Sequence, residues 1–454
     1  MNDIILSKME IKTKKASYCL IPQLGILVNS ELVNEFLHLI PDKLDEKKIV
    51  EILKKELSDD EIEERVASIF NITFNVLEDC NYRCSYCIYS GNYEGVRTHN
   101  PSKMSFKTAK KMINHLISWI TNKKRNIKTR TINIGFYGGE PLMEFPLIKE
   151  IIEYSQFMFR EKKIDEKFDL GFRLNTNGYL LKNSIVDLLV QKDITLDVSL
   201  DGPKEEHDKY RLHRSGKKTW DIIWNNLMKI REKYPNYYAD KINFLCTMHP
   251  LHDYKKIDQF FINNPDYFNL ERVSTYYVNM IFLKKSIKNK LLENRNSEES
   301  YINLIKSSKR LDNKLRLKNL GYDTIFTAMC FPGEAKLFVA TDGKLHICER
   351  IKNNLPIGDT DNGIDFDAVR KIYRLWNDEI IRNRCWECIA WSFCGVCVAH
   401  SEDRSGGVRI DCNYKDKAKN ILTDYLSFLE ENGNKEKKLI NIETDSIDDY
   451  LKKL

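Results

Sequence analysis

Ten of the twelve cysteines in this 454-residue chain fall into two groups, one around residue 84 and one between 330 and 412. Clustered thiols in a reducing compartment point to metal or redox chemistry rather than to disulfides. The compartment expected is the cytoplasm. The N-terminus, Met1-Asn2-Asp3-Ile4, lacks a basic stretch followed by an apolar block. No run approaches the roughly 18 apolar residues of a membrane span, so no membrane partner is expected. A count of 72 Lys and Arg against 66 Asp and Glu leaves +6, too diffuse over this length to suggest a nucleic acid. The densest basic stretch, Lys284 to Lys290, reads as a solvated helix face.

Residues 1–70 read as a separate unit. Strands are expected at Ile11–Lys14, Ser17–Ile21 and Gly25–Val28. Val33, Phe36, Leu37 and Ile40 then share a helical face up to Pro41, and Ile49, Ile52 and Leu53 mark a second helix. Ser58 and Glu61 have the spacing of a capping box ahead of Ile62, Val66 and Ile69. Strands followed by three short helices suggest a winged-helix-like module. The acidic third helix (Glu61, Glu63, Glu64) argues against phosphate contact.

From residue 71 onward, strand and helix patterns alternate. Strands are expected at Ile72–Leu77, Thr131–Tyr137, Phe168–Leu174, Thr195–Leu200, Lys241–Thr247 and Arg272–Met280. Helices are expected at Phe106–Ile120, Leu147–Phe159, Asn183–Val190 and Trp220–Lys233. Six βα units in a row imply an α/β fold with a parallel sheet, barrel-like or doubly wound, with ligands at the carboxyl ends of the strands. Asn294–Lys318 is polar and helical. Past Cys330 the chain reads as short-stranded and turn-rich, with a helix near Lys415–Leu429 and a charged tail from Glu430. The expected domains are 1–70, 71–310, 311–429 and the tail 430–454.

The first cysteine group, Asp79-Cys80-Asn81-Tyr82-Arg83-Cys84-Ser85-Tyr86-Cys87, directly follows the first of these strands and reads C-x3-C-x2-C. Three thiolates on one loop can each hold one iron of a cubane, which ordinarily takes four cysteines, leaving one iron open. The spacing alone also admits a zinc site with a distant fourth ligand. In its position after strand one, with Tyr86 before the last cysteine, the loop resembles the signature of the radical S-adenosylmethionine superfamily. The resemblance covers roughly residues 70–310 and implies a partial (β/α)6 TIM-like barrel. It also implies that Cys80, Cys84 and Cys87 hold a [4Fe–4S] cluster, whose open iron takes S-adenosylmethionine and yields a 5′-deoxyadenosyl radical. Gly138-Gly139-Glu140-Pro141 matches the family segment for the methionyl amine, with the glycines expected to let backbone approach the ligand. Asn175 and Asn177 after strand three, Ser199 and Asp201 after strand four, and Arg211 are the implied cofactor contacts beside Tyr86. Apart from the resemblance, Asp201 and Ser199 also suit simple turn capping, and Arg211 suits an exposed surface position.

In the second group, Cys330 is followed by twelve residues, Gly343, four residues and Cys348; Cys385-x2-Cys388-x5-Cys394-x2-Cys397 and Cys412 come later. Seven thiols exceed one metal site. On the pairs alone, structural zinc and iron–sulfur clusters weigh equally. The pattern resembles the SPASM extension, although Cys394 and Cys397 are two residues apart where that family usually has three. The resemblance implies two auxiliary [4Fe–4S] clusters, three clusters in all. Cys330, Cys348 and Cys397 would hold the nearer auxiliary cluster; Cys385, Cys388, Cys394 and Cys412 would hold the outer one. Glu349 is a candidate proton acceptor, and Cys19 and Cys246 are expected to be buried and inert.

Placed before such a barrel, residues 1–70 resemble the leader-recognition element of ribosomal peptide maturases, which adds the leader as a strand to a sheet edge. The resemblance implies an enzyme that joins a cysteine sulfur to a carbon of a precursor peptide, supplied with electrons by a flavodoxin or ferredoxin. Carbon–carbon crosslinking, epimerisation and sulfatase-type Cys or Ser maturation are the alternatives, and a zinc-binding peptide carrier is the non-enzymatic one.

Overall fold

The computed structural model of the chain describes residues 4–5, 9–12, 17–21, 26–29, 43–44, 46–93, 95–122, 131–278, 283–293, 330–334, 336–351, 354–388, 402–404, 407–409 and 423. Cys394, Cys397 and Cys412 lie outside these residues. So do the helix expected over Val33–Ile40, the stretch Asn294–Lys318, all but Thr423 of Lys415–Leu429, and the tail. The described residues fall into two units, one from 1–56 and 373–454, the other from 57–300 and 330–372.

In the first unit, strands β1 (Met9–Lys12), β2 (Ser17–Ile21) and β3 (Ile26–Asn29) form an antiparallel meander with β2 in the middle. Met9 pairs with Leu20 and Cys19 with Val28. Cys19 is only half-buried, unlike the expectation, because a small sheet leaves one face of its middle strand to solvent. Helix α1 (Glu46–Lys54) buries Leu53.

The second unit begins with α2 (Asp59–Ala67), whose capping box forms as expected. Ser58 N–H donates to Glu61 Oε2 at 2.8 Å and Glu61 N–H to Ser58 Oγ at 3.2 Å. This helix groups with the sheet unit. The sheet strands follow: β4 (Asn71–Leu77), β5 (Thr131–Gly138), β6 (Asp169–Thr176), β7 (Thr195–Ser199), β8 (Ile242–Met248) and β9 (Val273–Tyr277). All six expected strands are present, parallel and in sequence order. Helices α3 (Phe106–Ile120), α4 (Phe145–Glu161), α5 (Asn183–Gln191), α6 (Lys204–Tyr210), α7 (Trp220–Lys233) and α8 (Tyr254–Ile262) lie between them. Helix α9 (Lys285–Glu293) follows β9, with Lys284, Lys285 and Lys290 exposed as expected. Strand β10 (Lys336–Val339) then pairs parallel with β4, and β11 (Leu345–His346) antiparallel with β10. A helix the sequence reading passed over, α10 (Phe366–Arg382), buries Val369, Ile372, Trp376 and Ile380 at helical spacing. Among the described residues no helix is long and apolar enough to cross a membrane.

The sheet order is β9-β8-β7-β6-β5-β4-β10-β11. Laid flat, eight strands at about 4.8 Å would separate the edges by roughly 34 Å. Yet Arg350, just beyond β11, places its guanidinium carbon 5.6 Å from the ring centre of Tyr276 on β9, the other edge. The sheet therefore curls into an open barrel. Ile132, Ile134 and Phe136 of β5, and Ile242, Phe244, Cys246 and Met248 of β8, form a buried apolar face. Cys246 is thus buried as expected. The alternate residues, among them Asn133, Tyr137, Arg173, Asn175, Asp197, Ser199, Asn243 and Tyr276, share the opposite face, the polar lumen.

Candidate active site

The cysteine loop leaves the carboxyl end of β4. Cys80 and Cys84 are buried and Cys87 is half-buried. Two of the three sulfurs accept backbone N–H groups, Cys80 Sγ from Tyr82 at 3.3 Å and Cys87 Sγ from Tyr89 at 3.4 Å. Such bonds favour a thiolate ligand. Without a metal, burial pushes all three thiols up, Cys84 to about 12 against the pull of Arg211. Among the described residues no three His, Cys, Asp or Glu side chains converge on a single ion. The loop is pinned from one side by the chain after α6, where Arg83 N–H donates to Leu212 O at 2.9 Å and Ser85 N–H to Tyr210 O at 3.1 Å.

The other side is held by the glycine pair. Gly139 N–H donates to Leu77 O at 2.8 Å and Glu140 N–H to Asp79 O at 3.0 Å. A Cβ on Gly139 would lie 2.0 Å from Asp79 O, and one on Gly138 2.3 Å from Leu77 O. Within the protein these glycines approach closely the backbone of Leu77, at the end of β4, and of Asp79, at the start of the cysteine loop. Glu140, fully buried, accepts from Asn177 N–H and Thr176 Oγ at 2.7 Å and from Leu142 N–H at 3.1 Å. Burial pushes its carboxyl up to about 7 despite these bonds. Asn177 in turn donates to Asn81 Oδ1 at 2.7 Å. Glu140 and Asn177 thus tie the ends of β5 and β6 to the loop.

A second buried knot lies at the end of β7. Asp201 accepts from the Tyr86 hydroxyl and from Thr247 N–H, the latter at 2.8 Å. Arg211 Nη1 donates to Tyr86 Oη at 2.9 Å and lies 3.9 Å from Asp201 Oδ1. Arg211 is 7% exposed. The expected surface arginine is instead buried, because Asp201 and Tyr86 supply the partners a buried guanidinium needs. Sequence reasoning missed His207, which is fully buried. Its Nδ1 accepts Asp201 N–H at 3.2 Å, and its Nε2 lies 3.2 Å from Thr219 Oγ1. That hydroxyl donates to Arg211 O at 2.7 Å. Nε2 therefore carries the proton, and burial holds the ring neutral. Asn175 and Ser199 are half-buried on the lumen face.

Glu349 pairs with Lys336 Nζ at 2.7 Å. Burial alone would raise its pKa, but the ammonium holds it below the ordinary carboxylate value. Cys348 is half-buried and Cys330 exposed in the sheet unit, while Cys385 and Cys388 bracket a turn in the first unit, with Cys388 N–H on Cys385 O at 3.0 Å.

The side chains at the strand ends suit a cubane and S-adenosylmethionine. Three thiols share one loop, two with N–H groups directed at sulfur. Asn81 Nδ2 and Arg211 Nε are buried donors without a protein partner among the described residues.

Residues 74–261 match the family model described as the radical SAM superfamily. An uncharacterised protein of Methanocaldococcus jannaschii is 31% identical over 147 residues, covering 32% of this chain and 43% of that protein. A cysteine-type anaerobic sulfatase-maturating enzyme of Clostridium novyi is 27% identical over 159 residues, covering 34% of this chain and 38% of the enzyme. The chain thus spans less than half the length of these curated relatives. The solved structure of native anSMEcpe with bound AdoMet and Cp18Cys peptide superimposes with a TM-score of 0.54 at 16% identity, over 80% of this chain and 98% of that one. Fold, cysteine loop and family model agree that residues 74–261 form a domain of the radical SAM superfamily.

Proposed function

We propose that the chain is a radical S-adenosylmethionine enzyme that modifies a ribosomally made peptide, joining a cysteine sulfur to a carbon of another residue. The observation that carries the radical chemistry is the three-cysteine loop at the end of β4, held by the Glu140–Asn177 and Asp201–Tyr86–Arg211 knots. Cys80, Cys84 and Cys87 would hold the cluster, and Arg211, Asn81 and the strand ends would receive S-adenosylmethionine. When bound, the pair supplies a 5′-deoxyadenosyl radical able to take a hydrogen atom from an unactivated C–H bond. The surrounding side chains fix the loop and place substrate in the lumen, where Glu349 stands ionised as a proton acceptor. Cys330, Cys348, Cys385, Cys388, Cys394, Cys397 and Cys412 would hold two auxiliary clusters. Among the described residues β1 and β3 each pair on one side only, which leaves edges for a leader strand. A flavodoxin or ferredoxin would supply electrons.

The relatives, cysteine-type and serine-type anaerobic sulfatase-maturating enzymes, favour a second reading, sulfatase-type maturation of one Cys or Ser. The deciding experiment incubates the anaerobic enzyme, reductant and S-adenosylmethionine with a cysteine-containing peptide encoded beside the gene. Loss of two hydrogens per link with blocked thiols supports the crosslink; one oxidised residue with no link supports the second reading. Cys84→Ala should abolish deoxyadenosine formation, and a variant that still cleaves the cofactor would refute the cluster assignment.

A further inference from the structure

The cysteine loop has an exposed face, and that face is basic. Arg83 N–H donates to Leu212 O at 2.9 Å and Arg214 N–H to Asn81 O at 2.8 Å, with Tyr82 paired to His213 between them. The segment between α6 and α7 thus runs antiparallel against the loop that carries the thiols. It then closes a tight turn, His213 N–H on Lys217 O at 3.0 Å and Gly216 N–H on His213 O at 2.8 Å. Residues 211–219 hold Arg211, Arg214, Lys217 and Lys218 and no Asp or Glu. Arg211 is buried beside Asp201, whereas Arg214, Lys217 and Lys218 are exposed. Across from them, the charges of residues 79–87 are Asp79 and Arg83 alone. Asp79 lies 3.0 Å from Arg83 and 3.9 Å from Arg214, whose side chains stay 44% and 55% exposed. Residues 177–182, whose Tyr179 ring stacks on His213 at 5.4 Å, add no acid. The nearest acids of the flanking helices have other partners: Glu206 meets Lys209, Asp208 the N–H groups of Thr219 and Trp220, and Asp221 Lys204. Glu205 lies in the first turn of α6, the end away from this segment. The face therefore sets Arg83, Arg214, Lys217 and Lys218 against the single carboxylate of Asp79.

Exposed charge of one sign on a rigid surface steers an oppositely charged protein to it and raises the rate of encounter. Here the charge sits on the thiol loop itself, since Arg83 is the residue before Cys84 and the turn is bonded to the residues on both sides of Tyr82. Electron transfer falls steeply with distance, so a carrier that reduces this site must dock close to the loop. We infer that Arg83, Arg214, Lys217 and Lys218 form the docking surface for an acidic one-electron carrier protein of the flavodoxin or ferredoxin type. The inference rests on the radical reading above. In the transfer the carrier is oxidised by one electron and the cubane that the three thiols would hold is reduced by one; no bond forms or breaks.

The test uses the full chain, reconstituted anaerobically, and two acidic probes, a recombinant flavodoxin and a recombinant ferredoxin. Titration calorimetry with the oxidised carriers should show binding that weakens between about 0.1 M and about 1 M salt, as the screening length shrinks from about 10 Å to about 3 Å. The triple variant Arg214→Glu/Lys217→Glu/Lys218→Glu reverses three exposed charges and should weaken binding about tenfold or more at the lower salt. Lys217→Gln/Lys218→Gln should fall between. Lys162→Glu/Lys167→Glu, exposed just before β6 at the other end of the strands, should stay within about twofold of wild type. Reduction by flavodoxin hydroquinone should slow about tenfold in the triple variant, whereas photoreduced deazaflavin, small and uncharged, should reduce both proteins equally. Failure of both carriers to bind the wild type overturns the proposal, as does equal binding by wild type and triple variant. A variant that is slow with deazaflavin as well overturns it, because the substitutions then act on the site rather than on docking. A wild type that accepts no electron even from deazaflavin overturns the radical reading, and the assignment to an electron carrier with it.

Discussion

Replacing Glu140 by Gln isolates the buried carboxylate that ties the cysteine loop to two strand ends. Its side chain is fully buried, and its carboxyl is raised from an ordinary 4.5 to about 7. Burial raises it, and the bonds from Asn177 N–H, Thr176 Oγ and Leu142 N–H oppose that rise. A carboxyl raised in the folded state keeps its proton longer there than in the unfolded chain. Between pH 4.5 and 7 the folded state therefore binds more protons, and stability falls as pH rises. The shift corresponds to about 3 kcal/mol. The Gln amide does not titrate, so in the difference between wild type and Glu140→Gln the other titrating groups largely cancel. The amide also faces one N–H donor with another, a nearly pH-independent loss of about 1–3 kcal/mol. Anaerobic urea unfolding of both proteins from pH 4.5 to 8 should show the stability of wild type relative to variant falling by about 3 kcal/mol, mostly between pH 5 and 7. A flat difference would refute the burial argument. A difference rising with pH would show that the three hydrogen bonds outweigh burial.

The remaining predictions concern the same scaffold. Gly139→Ala forces a Cβ against Asp79 O and breaks two backbone hydrogen bonds, so it should destabilise by about 3–5 kcal/mol and lower iron loading; a urea midpoint close to wild type would contradict the close approach. His249, stacked on Tyr210 at 3.9 Å, is buried and held neutral, its pKa pushed down to about 4. The unfolded chain takes up this proton first, so wild type relative to His249→Gln should lose about 3 kcal/mol as pH falls from 7 to 4, the opposite slope to Glu140. Tyr86→Phe removes the hydroxyl between Arg211 and Asp201 and should cost about 1.5–3 kcal/mol in thermal or urea unfolding; no loss would show that Arg211 and Asp201 close on each other without it.

The strands were legible because each alternates an apolar residue for the helix-covered face with a polar one for the lumen, as Ile132, Ile134 and Phe136 do against Asn133 and Tyr137. Helices Phe106–Ile120 and Trp220–Lys233 have the ends expected of them. What escaped depends on partners distant in sequence. Lys336–Val339 carries an apolar run too short to show a period, and its place beside Asn71–Leu77 is set by pairing across more than two hundred residues. Arg211 looked like a surface residue because its burial rests on Tyr86, 125 positions away. The helix Phe366–Arg382 had its signal in Val369, Ile372, Trp376 and Ile380, obscured by the turns at Gly358 and Gly363 just before it.

The glycine pair shows why motif residues are easier to locate than to explain. An open barrel gives a loop at a strand end only a limited set of neighbours, and this loop carries three buried thiols that must keep their spacing. Gly138 and Gly139 let β5 close on it from one side, while Tyr210 and Leu212 accept its N–H groups on the other. The carboxylates at the strand ends are spent largely on protein partners. Glu140 meets three donors, and Asp201 meets Tyr86, Thr247 and Arg211. His207, locked in one tautomer between Asp201 N–H and Thr219, fixes the backbone that presents Asp201. A rigid frame of this kind places a reactive group to within a fraction of an ångström only if its own polar atoms are satisfied first. The strand-end acids thus act first as positioning residues, while Asn81 Nδ2 and Arg211 Nε are buried donors without a protein partner among the described residues.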